Sequence, residues 1–197
     1  MAENDVRHVS MVVIGGSAGS LDIVLSIVSQ LPTDTRATIV VVVHRKNAPE
    51  SPMTSLLAAR TSLAVKEVED KEPMLPGTVY LAPPDYHLLI EDRDSFSLDC
   101  SEKIHYSRPS IDITFESAAE QFGPALVGVL LSGANADGAE GLYRIREAGG
   151  FTVVQDPKTA EIDYMPRAAI DRGAACALVP AKELGSYLKA LLEHQGQ

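Results

Sequence analysis

The segment TIVVVV at residues 38–43 is apolar at every position after the first, with six β-branched residues in succession. A strand apolar on both sides is buried on both sides, which is the condition of a parallel sheet covered by helices on each face. Apolar runs at 11–14, 125–131 and 151–155 follow the same rule. Amphipathic stretches separate them, among them 20–30, with Leu21, Val24, Leu25 and Val28 on one face, and 138–147. The alternation predicts an α/β fold: a doubly wound, mostly parallel sheet with helices on both faces. Further helices are expected at 52–60, 110–122, 166–172 and 181–192, and short strands at 64–68 and 177–179.

The period changes after Pro76-Gly77. Runs at 78–82, 87–91 and 95–100, separated by Pro83-Pro84-Asp85 and Asp92-Arg93-Asp94, are expected to form antiparallel hairpins inserted into the sheet. No repeat, low-complexity tract or linker interrupts the chain. One domain over 1–197 is therefore expected, with residues 1–10 and 193–197 as flexible termini.

Composition narrows the function. No apolar run reaches the roughly 18 residues of a membrane span, so membrane insertion is not expected. The first ten residues are polar with charges of both signs, unlike a secretory or transit segment, which predicts a cytoplasmic protein. Seventeen basic against twenty-seven acidic residues give a net charge of -10, which repels a phosphate backbone and argues against nucleic acid as a partner. Cys100 and Cys176 are too few for a disulfide framework or a thiolate metal site, and both are expected to be buried thiols.

In an open parallel sheet, functional groups gather beyond the carboxyl ends of the strands. The loops there carry Gly15-Gly16-Ser17-Ala18-Gly19, His44-Arg45-Lys46-Asn47, the segment 132–138 and Asp156-Pro157. A serine, a histidine and an aspartate thus fall on one sheet edge. Nucleophilic catalysis needs a presented hydroxyl, an imidazole to take its proton and a buried carboxylate to orient the imidazole. Ser17, His44 and Asp137 suit these roles, and Gly15-x-Ser17-x-Gly19 has the spacing of a nucleophile elbow. Backbone amides of the loop 133–135, around Ala134 and Asn135, are candidates for stabilising an oxyanion.

Each residue also has an ordinary structural reading. Ser17 suits a helix cap or tight turn, Asp137 with Glu140 resembles a capping box, and His44 suits a hydrogen-bonded strand end. His8 and His194 fall near the termini, and His87 and His105 in the hairpin region, where structural or solvated roles are the default. No histidine pair has metal-ligand spacing, so no metal is expected. Gly15, Gly16 and Gly19 do not make Gly-x-Gly-x-x-Gly, and strand two ends in His44 rather than an acid, which counts against a nucleotide-binding module and leaves no cofactor expected. An ordinary α/β-hydrolase would need a late histidine, and only His194 comes late.

The motifs together carry a resemblance. Gly15-Gly16-Ser17-Ala18-Gly19, the strand ending in His44, Tyr80-Leu81-Ala82-Pro83-Pro84, Ser107-Arg108-Pro109-Ser110-Ile111-Asp112, Leu131-Ser132-Gly133 through Asp137-Gly138-Ala139, Val154-Gln155-Asp156-Pro157 and Met165-Pro166 resemble the CheB catalytic domain over residues 12–188. That family comprises chemotaxis protein-glutamate methylesterases. The resemblance implies a Ser17–His44–Asp137 triad that hydrolyses glutamate γ-methyl esters on chemoreceptor signalling helices, and in some members deamidates receptor glutamines. Arg108 and the segment Met165-Pro166-Arg167 are cleft candidates on the same basis. Two departures matter. Family members commonly carry an N-terminal receiver domain, whereas ten residues precede the first strand here, so control is expected to lie in a separate receiver or other regulatory protein. Members also often have methionine where this chain has Ala134, which predicts a changed pocket. A non-catalytic docking domain that keeps the fold is the remaining alternative.

Overall fold

The structure, a computed structural model, describes residues 8–45 and 53–193. Nine strands occur among them: β1 (Met11–Gly16), β2 (Thr38–Val43), β3 (Ala64–Glu67), β4 (Thr78–Leu81), β5 (His87–Ile90), β6 (Phe96–Asp99), β7 (Leu126–Leu130), β8 (Phe151–Gln155) and β9 (Ala177–Val179). The helices are α1 (Leu21–Ser29), α2 (Met53–Ala58), α3 (Ile111–Phe122), α4 (Ala139–Glu147), α5 (Tyr164–Asp171) and α6 (Leu184–Glu193). Seven strands form one parallel sheet in the order β3-β4-β2-β1-β7-β8-β9, and β5 and β6 pair antiparallel as a separate hairpin.

Alternate residues of each strand feed opposite cores, as the period of two requires. Val12 and Ile14 join Val24, Ile27 and Val28 of α1, Leu57 of α2 and Leu184 and Leu188 of α6 on one face. Met11 and Val13 join Ile111 and Phe115 of α3, Leu142 and Ile145 of α4, Met165 of α5 and Phe96 of the hairpin on the other. The sheet is doubly wound. From β1 the chain crosses to β2 on one side, and from β7 it crosses to β8 on the other, so the winding reverses between β1 and β7. Loops diverge at such a point and leave a crevice between them.

Two expectations need correction. Residues 78–82 are not part of an antiparallel insertion: β4 lies inside the main sheet, parallel to β2 and β3, and all four of its residues are buried. Its four residues are too short for periodicity to distinguish a sheet-core strand from a hairpin arm. The cysteines are both exposed rather than buried, because Cys100 follows the end of β6 and Cys176 precedes the edge strand β9. Of the stretch 1–10, residues 8–10 are described: Val9 is buried and the Ser10 amide donates to Ala125 O. Residues 1–7 and 194–197, with His194, lie outside the described residues, as do Pro52, Lys46 and Asn47.

Gly15 and Gly16 belong to β1, paired with Val42 and Val43, and the turn itself begins at Ser17. Small size is what Gly15 supplies. A Cβ there would run into Ile111 Cγ2 and lie 3.1 Å from Phe115 Cζ, so α3 packs directly on the strand backbone. Gly15→Ala is expected to destabilise the fold by about 1–3 kcal/mol through overpacking, measurable as a lowered thermal midpoint at unchanged helix content.

Candidate active site

The crevice at the reversal point brings together three groups from three strand ends. Ser17 follows β1, His44 follows β2, and Asp137 lies in the loop between β7 and α4. Ser17 Oγ lies 3.2 Å from His44 Nδ1, and His44 Nε2 lies 2.7 Å from Asp137 Oδ2. The His44 side chain is 12% exposed and that of Asp137 is fully buried. An Nε2–H donated to the carboxylate leaves the Nδ1 lone pair facing the hydroxyls, the tautomer a general base needs.

Asp137 is held by more than His44. Its Oδ1 accepts from Ser110 Oγ at 2.8 Å and the Asp112 amide at 3.0 Å, and its Oδ2 accepts from the Ile111 amide at 2.7 Å. Burial opposes its ionisation, but the bonds from His44 and from the amides of Asp112 and Ile111 outweigh burial and hold the carboxyl below its ordinary value. The capping-box reading of Asp137 is thereby replaced. Gly138, not Asp137, occupies the cap position of α4, which has no bond from its own side chain, and Asp137 instead caps the first turn of α3.

The serine turn is clamped from below. Ser17 N donates to Ser132 O at 2.9 Å, Ser132 Oγ reaches Ala18 O at 2.8 Å, and Gln155 Oε1 receives the Ser132 amide at 2.9 Å. Ser20 occupies the cap position of α1 and donates its hydroxyl to Ser17 O at 2.6 Å, so Ser17 itself is not the cap. Gly19 has φ +77 and turns the chain into α1, a conformation that favours glycine.

The loop 133–135 is less uniform than its sequence implied. The Gly133 amide is committed to Ile162 O at 3.2 Å, whereas the amides of Ala134 and Asn135 have no partner among the described residues. The Asn135 side chain is structural: its Oδ1 accepts the Asp137 amide at 3.1 Å. Met165 is fully buried, and a Cβ on Gly133 would lie 2.7 Å from its Sδ, so it forms the floor of this loop. Arg108 turns its Nη1 to the carbonyls of Cys100 and Ser101, both at 2.6 Å, and lines the cleft from the side.

Several participants were not singled out from sequence. Ser107 Oγ lies 3.3 Å from His44 Nδ1, so two hydroxyls meet the same nitrogen. His87, placed only in a hairpin, is fully buried; its Nε2 donates to Glu102 O and its Nδ1 accepts the Ser110 amide at 3.0 Å, which steadies the residue that holds Asp137. The Ser107-to-Asp112 motif was visible, but nothing in its spacing distinguished these roles. A cleft of about 370 Å³ beside the histidine is lined by His44, Arg45, Asp85, Lys103, Tyr106, Ser107 and Arg108. Larger grooves of about 510 and 520 Å³ lie elsewhere; neither is lined by a histidine, so size alone does not mark the site. Among the described residues, no group of three or more histidine, cysteine or acidic side chains is arranged to hold a metal ion.

Fold and site together define an α/β protein with a serine, a histidine and an aspartate hydrogen-bonded in series where a doubly wound sheet reverses. The chain belongs to the CheB methylesterase family, an enzyme family whose model matches residues 12–188. The crystal structure of the Thermotoga maritima CheB methylesterase catalytic domain superposes with a TM-score of 0.87 at 34% identity, covering 93% of this chain and 98% of that one. A Leptospira interrogans protein, provisionally named protein-glutamate methylesterase/protein-glutamine glutaminase, is 47% identical over 160 residues, 81% of this chain and 83% of that one. The protein-glutamate methylesterase FrzG of Myxococcus xanthus is 36% identical over 178 residues, 90% of this chain but 53% of its own length. The chain thus spans about half the length of FrzG and nearly all of the Thermotoga maritima catalytic domain.

Proposed function

We propose that this chain hydrolyses glutamate γ-methyl esters on chemoreceptor signalling helices, with Ser17 as nucleophile, His44 as general base and Asp137 as the orienting acid. The observation that carries this reading is the unbroken hydrogen-bond series from Ser17 Oγ through His44 to buried Asp137. His44 Nδ1 takes the Ser17 proton as Oγ attacks the ester carbonyl. The uncommitted amides of Ala134 and Asn135 are the oxyanion donors, a contribution of about 3 kcal/mol per donor in comparable sites. Collapse expels methoxide, which leaves as methanol with the proton from Nδ1. Water then gives a proton to Nδ1 and attacks the acyl carbon, releasing the γ-carboxylate and restoring Ser17.

The same steps on a glutamine side chain release ammonia in place of methanol, which extends the proposal to receptor deamidation. At the cleft rim Arg45 is already paired with Glu67, and Lys103 and Arg108 line the cleft with Asp85, which leaves a small cationic excess on a chain whose net charge is -10. The reaction is assigned to the cytoplasm, on chemoreceptor signalling helices. Among the described residues, no helix is long and apolar enough to cross a membrane.

A serine-directed phosphonate tests the chemistry cheaply. Peptide mapping is expected to place a single adduct on Ser17. A protein that turns over methylated receptor yet carries the adduct elsewhere contradicts the assignment, and one that binds receptor without adduct or turnover favours the docking-domain alternative.

A further inference from the structure

Asp112 lies in the first turn of α3 and is buried behind Asp137. The two aspartates cap each other's helices. Asp137, which precedes α4, accepts from the first amides of α3, while Asp112 accepts through Oδ1 from the Gly138 amide at 2.9 Å and the Gly141 amide at 2.7 Å, at the start of α4. Each carboxylate therefore sits in the favourable field of a helix N-terminus that its own helix does not supply.

The contact between these helix ends has no slack. A Cβ on Gly138 would lie 2.6 Å from Leu130 Cδ1 and 2.7 Å from Ile111 Cγ2, and one on Gly141 would lie 2.8 Å from the Asp112 carbonyl oxygen. Gly138 also has φ +93. The turn that carries Asp137 is thus pinned by packing on one side and by the two Asp112 bonds on the other. The remaining oxygen, Oδ2, faces His105 Nε2 at 3.6 Å, on the loop that bears Ser107.

We propose that Asp112 is a positioning residue: by holding the start of α4 it fixes the turn of Asp137, and through Asp137 it keeps His44 Nδ1 against Ser17. This rests on the esterase reading of Ser17, His44 and Asp137. The charged and titratable groups facing Asp112 are Asp137, Glu116 and His105. Burial, reinforced by the charges of Asp137 and Glu116, raises its carboxyl to about 7, against the Gly141 bond and His105.

The test compares Asp112→Asn, which keeps an acceptor for both amides, with Asp112→Ala, which keeps none, in the full chain. The first readout is the low-field proton resonance of His44 Nε2–H, which needs no turnover. It is expected to broaden or vanish in Asp112→Ala and to persist in Asp112→Asn. The second is steady-state ester hydrolysis: Asp112→Ala is expected to lower kcat about 100-fold with little change in KM, the scale of a misplaced catalytic group. Asp112→Asn is expected to stay within about threefold of the parent. If Asp112→Ala does not fold, Asp112→Ser takes its place under the same criteria.

A third readout is pH. A carboxyl raised from 3.8 to about 7 holds its proton more tightly in the folded chain than in the unfolded one, so stability falls as pH rises from the lower value to the higher. That decline is expected to be smaller in Asp112→Asn than in the parent, and the raised carboxyl of Glu116 contributes to it with the same sign. A folded Asp112→Ala or Asp112→Ser with the parent's resonance and kcat overturns the proposal. Absent turnover in the parent contradicts the esterase reading instead, and the resonance then decides the role of Asp112.

Discussion

Ser17→Ala is expected to lower methyl-ester turnover by about 10³-fold or more while the thermal midpoint stays near that of the parent. Removing Oγ takes away the atom that forms the acyl intermediate. The fold does not depend on that oxygen: the turn is held by Ser17 N on Ser132 O and by the Ser132 and Ser20 hydroxyls, all of which survive the substitution. The structure also supplies a control. Ser107 meets the same His44 nitrogen at 3.3 Å, so Ser107→Ala removes a hydroxyl at nearly equal distance. It is expected to cost about tenfold at most, the scale of one lost neutral hydrogen bond to the base. Reversed magnitudes in the two variants would make Ser107 the nucleophile.

Asp137→Ala is expected to damage catalysis and stability together. Loss of the carboxylate frees His44 to take the wrong tautomer, which costs about 10⁴-fold in comparable triads. It also strands the Ser110 hydroxyl and the amides of Ile111 and Asp112 in a buried setting, a loss of about 3 kcal/mol. Asp137→Asn separates the two effects. One amide oxygen still accepts from α3, so the loss of stability is expected to be smaller, whereas the NH₂ group cannot accept the His44 proton and turnover falls as far. The pH dependence has a definite sign. Because the folded carboxyl is held below 3.8, its contribution to stability is present above that value and is lost as pH falls through the folded pKa. Equal thermal midpoints for parent and Asp137→Ala at neutral pH would contradict the capping role.

What the sequence made legible follows from range. The strands β1, β2, β7 and β8 are runs of apolar residues buried on both faces, and their order along the chain placed Ser17, His44 and Asp137 on one edge before any contact was known. The exchange of caps between Asp112 and Asp137 was hidden because it joins residues 25 apart, and the local pattern Asp137…Glu140 suggested an ordinary cap for α4. β4 was misplaced because its four residues carry no period long enough to show which neighbours it pairs with. The Gly133 amide could not be distinguished from those of Ala134 and Asn135 without the distant loop at Ile162 that pairs with it. Exposure of Cys100 and Cys176 depends on sheet edges, which are set by tertiary pairing and not by residue type.

The central claim is that Ser17, activated by His44, cleaves a protein γ-glutamyl methyl ester. Methanol release from a methylated chemoreceptor signalling fragment, followed with the parent and Ser17→Ala side by side, tests it most directly. The account predicts one methanol for each γ-carboxylate formed by the parent and a rate lower by about 10³-fold or more in the variant. Equal methanol release by both proteins, or none from a parent that still binds the fragment, would contradict it.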